Sequence, residues 1–188
     1  MNRRLLLPGL AAALLSACGG DSSSLTYTNP EAGVLRLIKR SSDSKSITLD
    51  FVVGDKAVTG YSTGFTLPVD TTLVELVSFE PGTALPAGTD PVAAKGTLVT
   101  AGPLSGMLVT AQSQKASGAG AVETNAPLQP GTVLFSVKLG VAKDAGEGVA
   151  FDGTADGFRL PSGGLRDRIG TTVVTAAEVG IGKLVIAK

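Results

Sequence analysis

Two short stretches of this 188-residue chain carry the residue types of a reactive centre. Ser42-Asp43-Ser44-Lys45 has Ser-x-x-Lys spacing, in which an amine beside a hydroxyl can activate it for acyl transfer. That chemistry needs the motif to open a helix, so that the lysine packs against the serine. Here it lies between two strand patterns, and no Ser-Asp-Asn or Lys-Thr-Gly element follows, so a polar turn is expected. The second stretch, FDGTADGF, holds Asp152 and Asp156, each followed by glycine. Carboxylate oxygens suit calcium, but the spacing is not that of an EF-hand loop and no glutamate closes it. Asp-Gly pairs read first as turns, with calcium at Asp152 and Asp156 as the lesser reading. The glycine-rich DAGEG and PSGG lack the lysine and hydroxyl of a phosphate loop. Among 16 Asp+Glu no pair stands out as the two carboxyls of a glycosidase. There is no histidine, which removes the commonest general base and metal ligand. The expectation is therefore no catalytic residue, no metal and no cofactor.

The one cysteine, Cys18, follows Leu15-Ser16-Ala17. Ahead of it lie Arg3 and Arg4 and then an apolar run over residues 5–15, interrupted only by Pro8 and Gly9. That run is too short for a bilayer core, which needs about 20 residues. It fits an export signal over residues 1–17. The Leu-Ser-Ala-Cys end resembles the lipobox of bacterial lipoproteins. The resemblance implies diacylglyceryl transfer to the Cys18 sulfur, cleavage between Ala17 and Cys18, and acylation of the new amino group. Two or more acyl chains anchor a protein stably where one does not. The residues that follow, GGDSSS, are small and polar, so residues 18–30 read as the lipidated cysteine and a flexible tether. Gly19 is not the aspartate of an inner-membrane retention signal. The implied location is the bacterial cell envelope, with the outer membrane favoured in a Gram-negative organism.

The mature chain is long enough for one domain with a real core. Its charge excludes a nucleic-acid footprint. Losing Arg3 and Arg4 lowers 16 Lys+Arg to 14 against 16 Asp+Glu, and the remaining cations are scattered. The densest, Arg36, Lys39 and Arg40, read as solvated strand and loop positions. With 25 Gly and 10 Pro, the composition suits short strands joined by turns.

Period-two patterns run almost throughout. Val34 to Lys39 makes a first strand in this reading. Ile47, Leu49, Phe51 and Val53 alternate with Thr48, Asp50 and Val52, and Tyr61, Thr63, Phe65 and Leu67 with Ser62, Gly64 and Thr66. LVELVSF over 73–79 is apolar on both faces, which predicts a central or partly covered strand. The cleanest alternation is Val133, Phe135, Val137, Leu139 and Val141, and GKLVIA closes the chain. Leu98-Val99-Thr100-Ala101 recurs as Leu108-Val109-Thr110-Ala111 around a Gly-Pro turn, which predicts a hairpin. A single helical turn is expected at Asp70, a good cap. Residues 81–95 and 115–131 read as long loops. About eight or nine strands in one domain over residues 31–188 predict a single all-β sandwich.

The order of these features over residues 34–188 resembles the cohesin-like modules, and more loosely the family-2/family-3 carbohydrate-binding modules. ITLDFVVGDKAVTGYSTGFTLPVD, LVELVSFEPG and TVLFSVKLGVAKDAGEGVAF carry the likeness. It implies a jelly-roll-type sandwich that binds a protein partner through a sheet face, with polysaccharide as the alternative ligand and an enzyme as the weaker one. A sugar face needs exposed aromatics, and the chain has no Trp. Tyr61, Phe65, Phe51 and Phe135 fall on apolar sides of their strands. Phe79, Phe151 and Phe158, near loops, are the expected exposed rings. Replacing Cys18 with Ser is expected to abolish acyl labelling and leave an unprocessed precursor; normal labelling of that variant would sink the anchor assignment.

Overall fold

A computed structural model describes residues 24–86 and 94–187. In chain order its strands are β1 (Ser24–Thr28), β2 (Leu35–Ser42), β3 (Ser46–Val53), β4 (Val58–Gly60), β5 (Ser62–Pro68), β6 (Val74–Pro81) and β7 (Ala94–Val99). There follow β8 (Met107–Ser113), β9 (Ala126–Leu128), β10 (Val133–Val141), β11 (Gly148–Asp152), β12 (Ser162–Arg166), β13 (Thr172–Val174), β14 (Val179–Gly180) and β15 (Lys183–Ala187). The described residues hold no α-helix; one 3-10 turn spans Ala176–Glu178.

The protein is all-β, and its two larger sheets pack as a β-sandwich. One has the order β14-β2-β3-β10-β6 and the other β13-β12-β5-β8-β7. A three-stranded sheet, β1-β15-β11, and the pair β4-β9 complete the fold. Among the described residues all pairings are antiparallel except the two-residue contact of β14 with β2. Antiparallel sheets need cover on only one face, and the alternating pattern reports which face that is. Along β5 the burial alternates, with Thr63, Phe65 and Leu67 inward and Ser62, Gly64 and Thr66 outward.

Four phenylalanines join the sheets. Phe51 on β3 meets Phe65 of the opposite sheet edge-on, with ring centroids 5.1 Å apart. Phe135 on β10 lies 4.9 Å from Phe51, 5.7 Å from Phe65 and 5.2 Å from Phe79 on β6. Such contacts add roughly 0.5–1.5 kcal/mol each beyond the burial of their area. Leucines and valines of both sheets extend the core around them.

More strand segments appear than the eight or nine expected. Four of the extra ones, β4, β9, β13 and β14, are three residues or shorter, too short to show a period. The tether expected to reach residue 30 gives way to strand at Ser24. Leu25 and Tyr27 alternate with exposed residues and are buried, so β1 belongs to the domain. The segment 73–79 is partly covered, not central. Leu73 precedes β6, an edge strand of its sheet in which Val74 is buried, Leu76 and Phe79 are half-buried and Val77 is about half exposed (52%). Its second apolar face needed no covering sheet. The predicted hairpin is present as β7–β8, with Leu98 opposite Leu108. At Asp70 a single turn forms: the carboxylate accepts the Thr72 amide and hydroxyl at 2.9 and 2.6 Å, and the Leu73 amide donates to the Asp70 carbonyl.

Truncating Phe135 to Ala removes the ring that touches three others. We expect a loss of about 3–5 kcal/mol in unfolding free energy by urea titration, against little change for the exposed Val77→Ala.

Candidate functional site

The outward face of the second sheet is built from side chains that point away from the core. On β5 these are Ser62, Gly64 and Thr66; on β8, Val109, Ala111 and Ser113. The strand registers arrange them in rows across the sheet. One row is Ser162–Thr66–Val109–Thr97 and another is Arg166–Ser62–Ser113. Between them runs Gly164–Gly64–Ala111–Lys95. Three successive strands in that middle row carry nothing larger than a methyl group. The result is a trough of about 340 Å³, walled by hydroxyls and valine and ending on Arg166.

Glycine is required in the trough floor. A Cβ on Gly64 would lie 2.1 Å from the Thr110 carbonyl oxygen. One on Gly164 would lie 1.9 Å from the Val174 carbonyl, and Gly164 has φ of +117°, which other residues avoid. The neighbouring backbones close into the space a side chain would need.

Buried polar groups hold the floor rigid from below. The Thr63 hydroxyl donates to the Gly164 carbonyl at 2.8 Å. The Thr110 hydroxyl accepts the Phe65 amide at 3.1 Å and donates to the Phe65 carbonyl at 3.2 Å. Gln112, 1% exposed, donates to the carbonyls of Gly82 and Leu85, both at 2.8 Å, and so ties β8 to the chain after β6. Each is satisfied, as buried polar groups must be. Above the floor, the Thr66 and Ser162 hydroxyls share a hydrogen bond of 2.9 Å. The charged residues on these rows, Lys95 and Arg166, are both cations. Arg166 is exposed and donates to the Gly170 carbonyl at 2.9 Å.

The outward face of the first sheet is different. Arg40 reaches across β3 to bond Asp50 at 3.0 Å and the Ser136 hydroxyl at 2.6 Å, while Ser136 donates to Asp50 at 2.7 Å. Glu80 lies 3.6 Å from the same guanidinium. Arg40 is thus the cover of a buried Asp–Ser pair, not the merely solvated cation expected from sequence. The Ser136 hydroxyl thus accepts from the guanidinium and donates to the carboxylate, closing a three-residue polar cluster across β2, β3 and β10. Arg36 pairs with Asp55 at 3.2 Å.

The structure disperses the residues singled out for chemistry. Ser42, at the end of β2, and Lys45, in the β2–β3 turn, are exposed. Asp43 organises that turn, accepting the amides of Lys45 and Ser46 and the Ser46 hydroxyl, and these bonds hold its carboxyl below the usual range. Asp152 accepts the Thr154 amide and hydroxyl and faces the Lys183 ammonium at 2.8 Å. Asp156 is exposed in the following turn. Among the described residues no cluster of three or more Asp, Glu, His or Cys has metal-binding geometry. The expectation of exposed rings at Phe79, Phe151 and Phe158 is corrected. Phe151 is 4% exposed and packs on Tyr27, with centroids 6.0 Å apart. Phe79 and Phe158 are half-buried against the core. Proximity to a loop misled because Gly96 opens a space that the Phe79 ring fills. Ala17 and Cys18 lie outside the described residues.

The sequence held the trough's ingredients, in Gly64, Gly163-Gly164 and the small residues of β8, as period-two gaps. It did not show that three strands align those gaps.

The Lys183 ammonium and the Thr154 hydroxyl hold the Asp152 carboxyl down at about 2. A carboxyl lowered in the folded state contributes stability above its ordinary value of 3.8, lost as pH falls toward about 2. We expect Asp152→Asn to flatten the pH dependence of stability in that window and to leave it unaltered above pH 5, read by thermal unfolding at stepped pH.

Among the described residues no helix is long and apolar enough to cross a membrane. No protein-family model matches this chain, and no curated protein matches it.

Proposed function

We propose that the chain is a lipid-anchored, non-catalytic binding module of the bacterial envelope, attached through Cys18, and that it recognises a protein partner. The observation that carries this reading is the bare row Gly164–Gly64–Ala111 across three hydrogen-bonded strands. A flat, rigid and side-chain-free strip lets another backbone or a protruding side chain approach closely. Such a strip costs little ordering entropy on binding, because its floor is pinned beforehand. The hydroxyl walls offer hydrogen bonds, and Lys95 and Arg166 favour a partner with acidic groups at the edges of its contact surface.

The aromatic residues weigh against polysaccharide. The chain holds two Tyr, six Phe and no Trp, and every one of these rings is buried or half-buried. No ring is left as the flat exposed platform on which a sugar stacks. The cohesin-like relationship is part of the same proposal and rests on the order of features over residues 34–188. The Leu-Ser-Ala-Cys signal supports the envelope location, with the outer membrane favoured by Gly19 in a Gram-negative organism.

The test uses soluble chain beginning at Gly19, which retains β1, cross-linked in envelope extract. One discrete partner should be recovered. Ala111→Arg, which fills the trough, should weaken that capture about tenfold, or about 1.4 kcal/mol, with unchanged thermal unfolding. Equal capture by the variant would remove the trough from the interface.

A further inference from the structure

The route by which the N-terminal attachment enters the fold has a mechanical consequence. Strand β1 begins at Ser24 and, among the described residues, pairs with β15 alone, through Ser24–Ala187, Leu25–Ile186, Thr26–Val185, Tyr27–Leu184 and Thr28–Lys183. It is an edge strand, yet it is fastened at its inner end. The Tyr27 hydroxyl donates to the Leu37 carbonyl on β2 and accepts the Gly182 amide, each at 2.8 Å. Gly182 permits this approach, since a Cβ there would lie 2.8 Å from that hydroxyl and 1.9 Å from the Thr28 carbonyl. Just beyond β1, the Asn29 side chain accepts the Lys39 amide at 2.8 Å. Leu25 and Tyr27 add buried apolar surface.

The two ends of the sandwich can be told apart by their contacts. Ala187 neighbours Ser24, and Ile186 pairs with Gly148, where a Cβ would touch the Leu73 side chain. The Leu73 carbonyl accepts the Ala142 amide, just past the end of β10. The start of β10, Val133, pairs with Val52, beside the turn that carries Lys56. Ser24 and Ala187 thus share one end, and Lys56 marks the other.

We propose that β1 is a shear-loaded mount: a pull between the membrane attachment and the far end of the domain acts along β1 and strains all its fastenings together. A pull between the adjacent residues Ser24 and Ala187 would instead open the same ladder one pair at a time. The fold therefore resists load between its attached end and its far end, and yields to load applied across the attached end alone. The biological direction of load rests on Cys18 being the anchor; the anisotropy does not.

Single-molecule stretching of the full, unlipidated chain tests this. Cys18 is the only cysteine and serves as the first handle. The second handle is introduced by Lys56→Cys or by Ala187→Cys, both at exposed positions. The rupture force for the Lys56 handle should exceed that for the Ala187 handle by between about two- and five-fold, the upper bound being equal sharing among β1's residue pairs. Equal forces, or a weaker Lys56 geometry, would overturn the proposal. Tyr27→Phe should lower the Lys56-geometry force and leave the Ala187-geometry force unchanged. Asn29→Ala at an exposed position applies the same test with less risk to folding, and an unaltered force in both variants would remove the inner fastening. Acyl labelling of Cys18 reports separately on the anchor, so failure of either reading is distinguishable from failure of the other.

Discussion

The contact on which this molecule depends is the packing of Phe51, Phe135 and Phe79 from one sheet against Phe65 from the other. Each sheet alone would expose a row of apolar residues to water. The rings give the two inner faces a shared, interlocking surface, and the surrounding leucines and valines complete it. Once the inward residues of β5 are committed to this core, its alternate residues must point outward. The trough is a direct consequence: Ser62, Gly64 and Thr66 face solvent because Thr63, Phe65 and Leu67 do not.

The chain builds this sandwich without the usual staples. Its single cysteine is at position 18, so no disulfide can tie the domain together. Side chain to backbone bonds do the corresponding work. Tyr27 links β1, β2 and the residue before β15; burial pushes its phenol above the ordinary range, so it remains a neutral donor. The Tyr61 hydroxyl donates within 2.9 Å of both the Lys115 and Val122 carbonyls, closing the loop between β8 and β9. Gln112 performs a similar task after β6. In each case a side-chain polar atom reaches the backbone of a separate segment of the chain.

Sequence pattern read the long strands well and their neighbours poorly. The alternation of β5 and β10 was visible because each has one face in the core over at least seven residues. The burial of Asp50 and Ser136 was not visible, since it depends on Arg40 lying across them from an adjacent strand. The strand β1 was read as tether because two apolar residues, Leu25 and Tyr27, make too short a period. The edge position of β6 was missed for a related reason. An apolar residue such as Val77 looks the same whether a sheet covers it or water does. The Phe151 ring looked exposed from its nearness to turn residues, and was found against Tyr27, more than a hundred residues away in the chain.

The amino-acid sequence by itself determined the all-β class, the long strands, the turn chemistry at Asp43 and Asp70, the lack of histidine and the single thiol at Cys18. These are properties of composition and of spacing along a few residues, where side-chain direction follows the period of the backbone. Tertiary structure alone decided which small residues became neighbours. Gly164, Gly64 and Ala111 form one row because β12, β5 and β8 pair in a particular register, and a shift of one residue in any of them would bury that row's position in the core. Register is set by the fit of the two apolar faces to each other, a sum over many distant contacts that no local stretch contains.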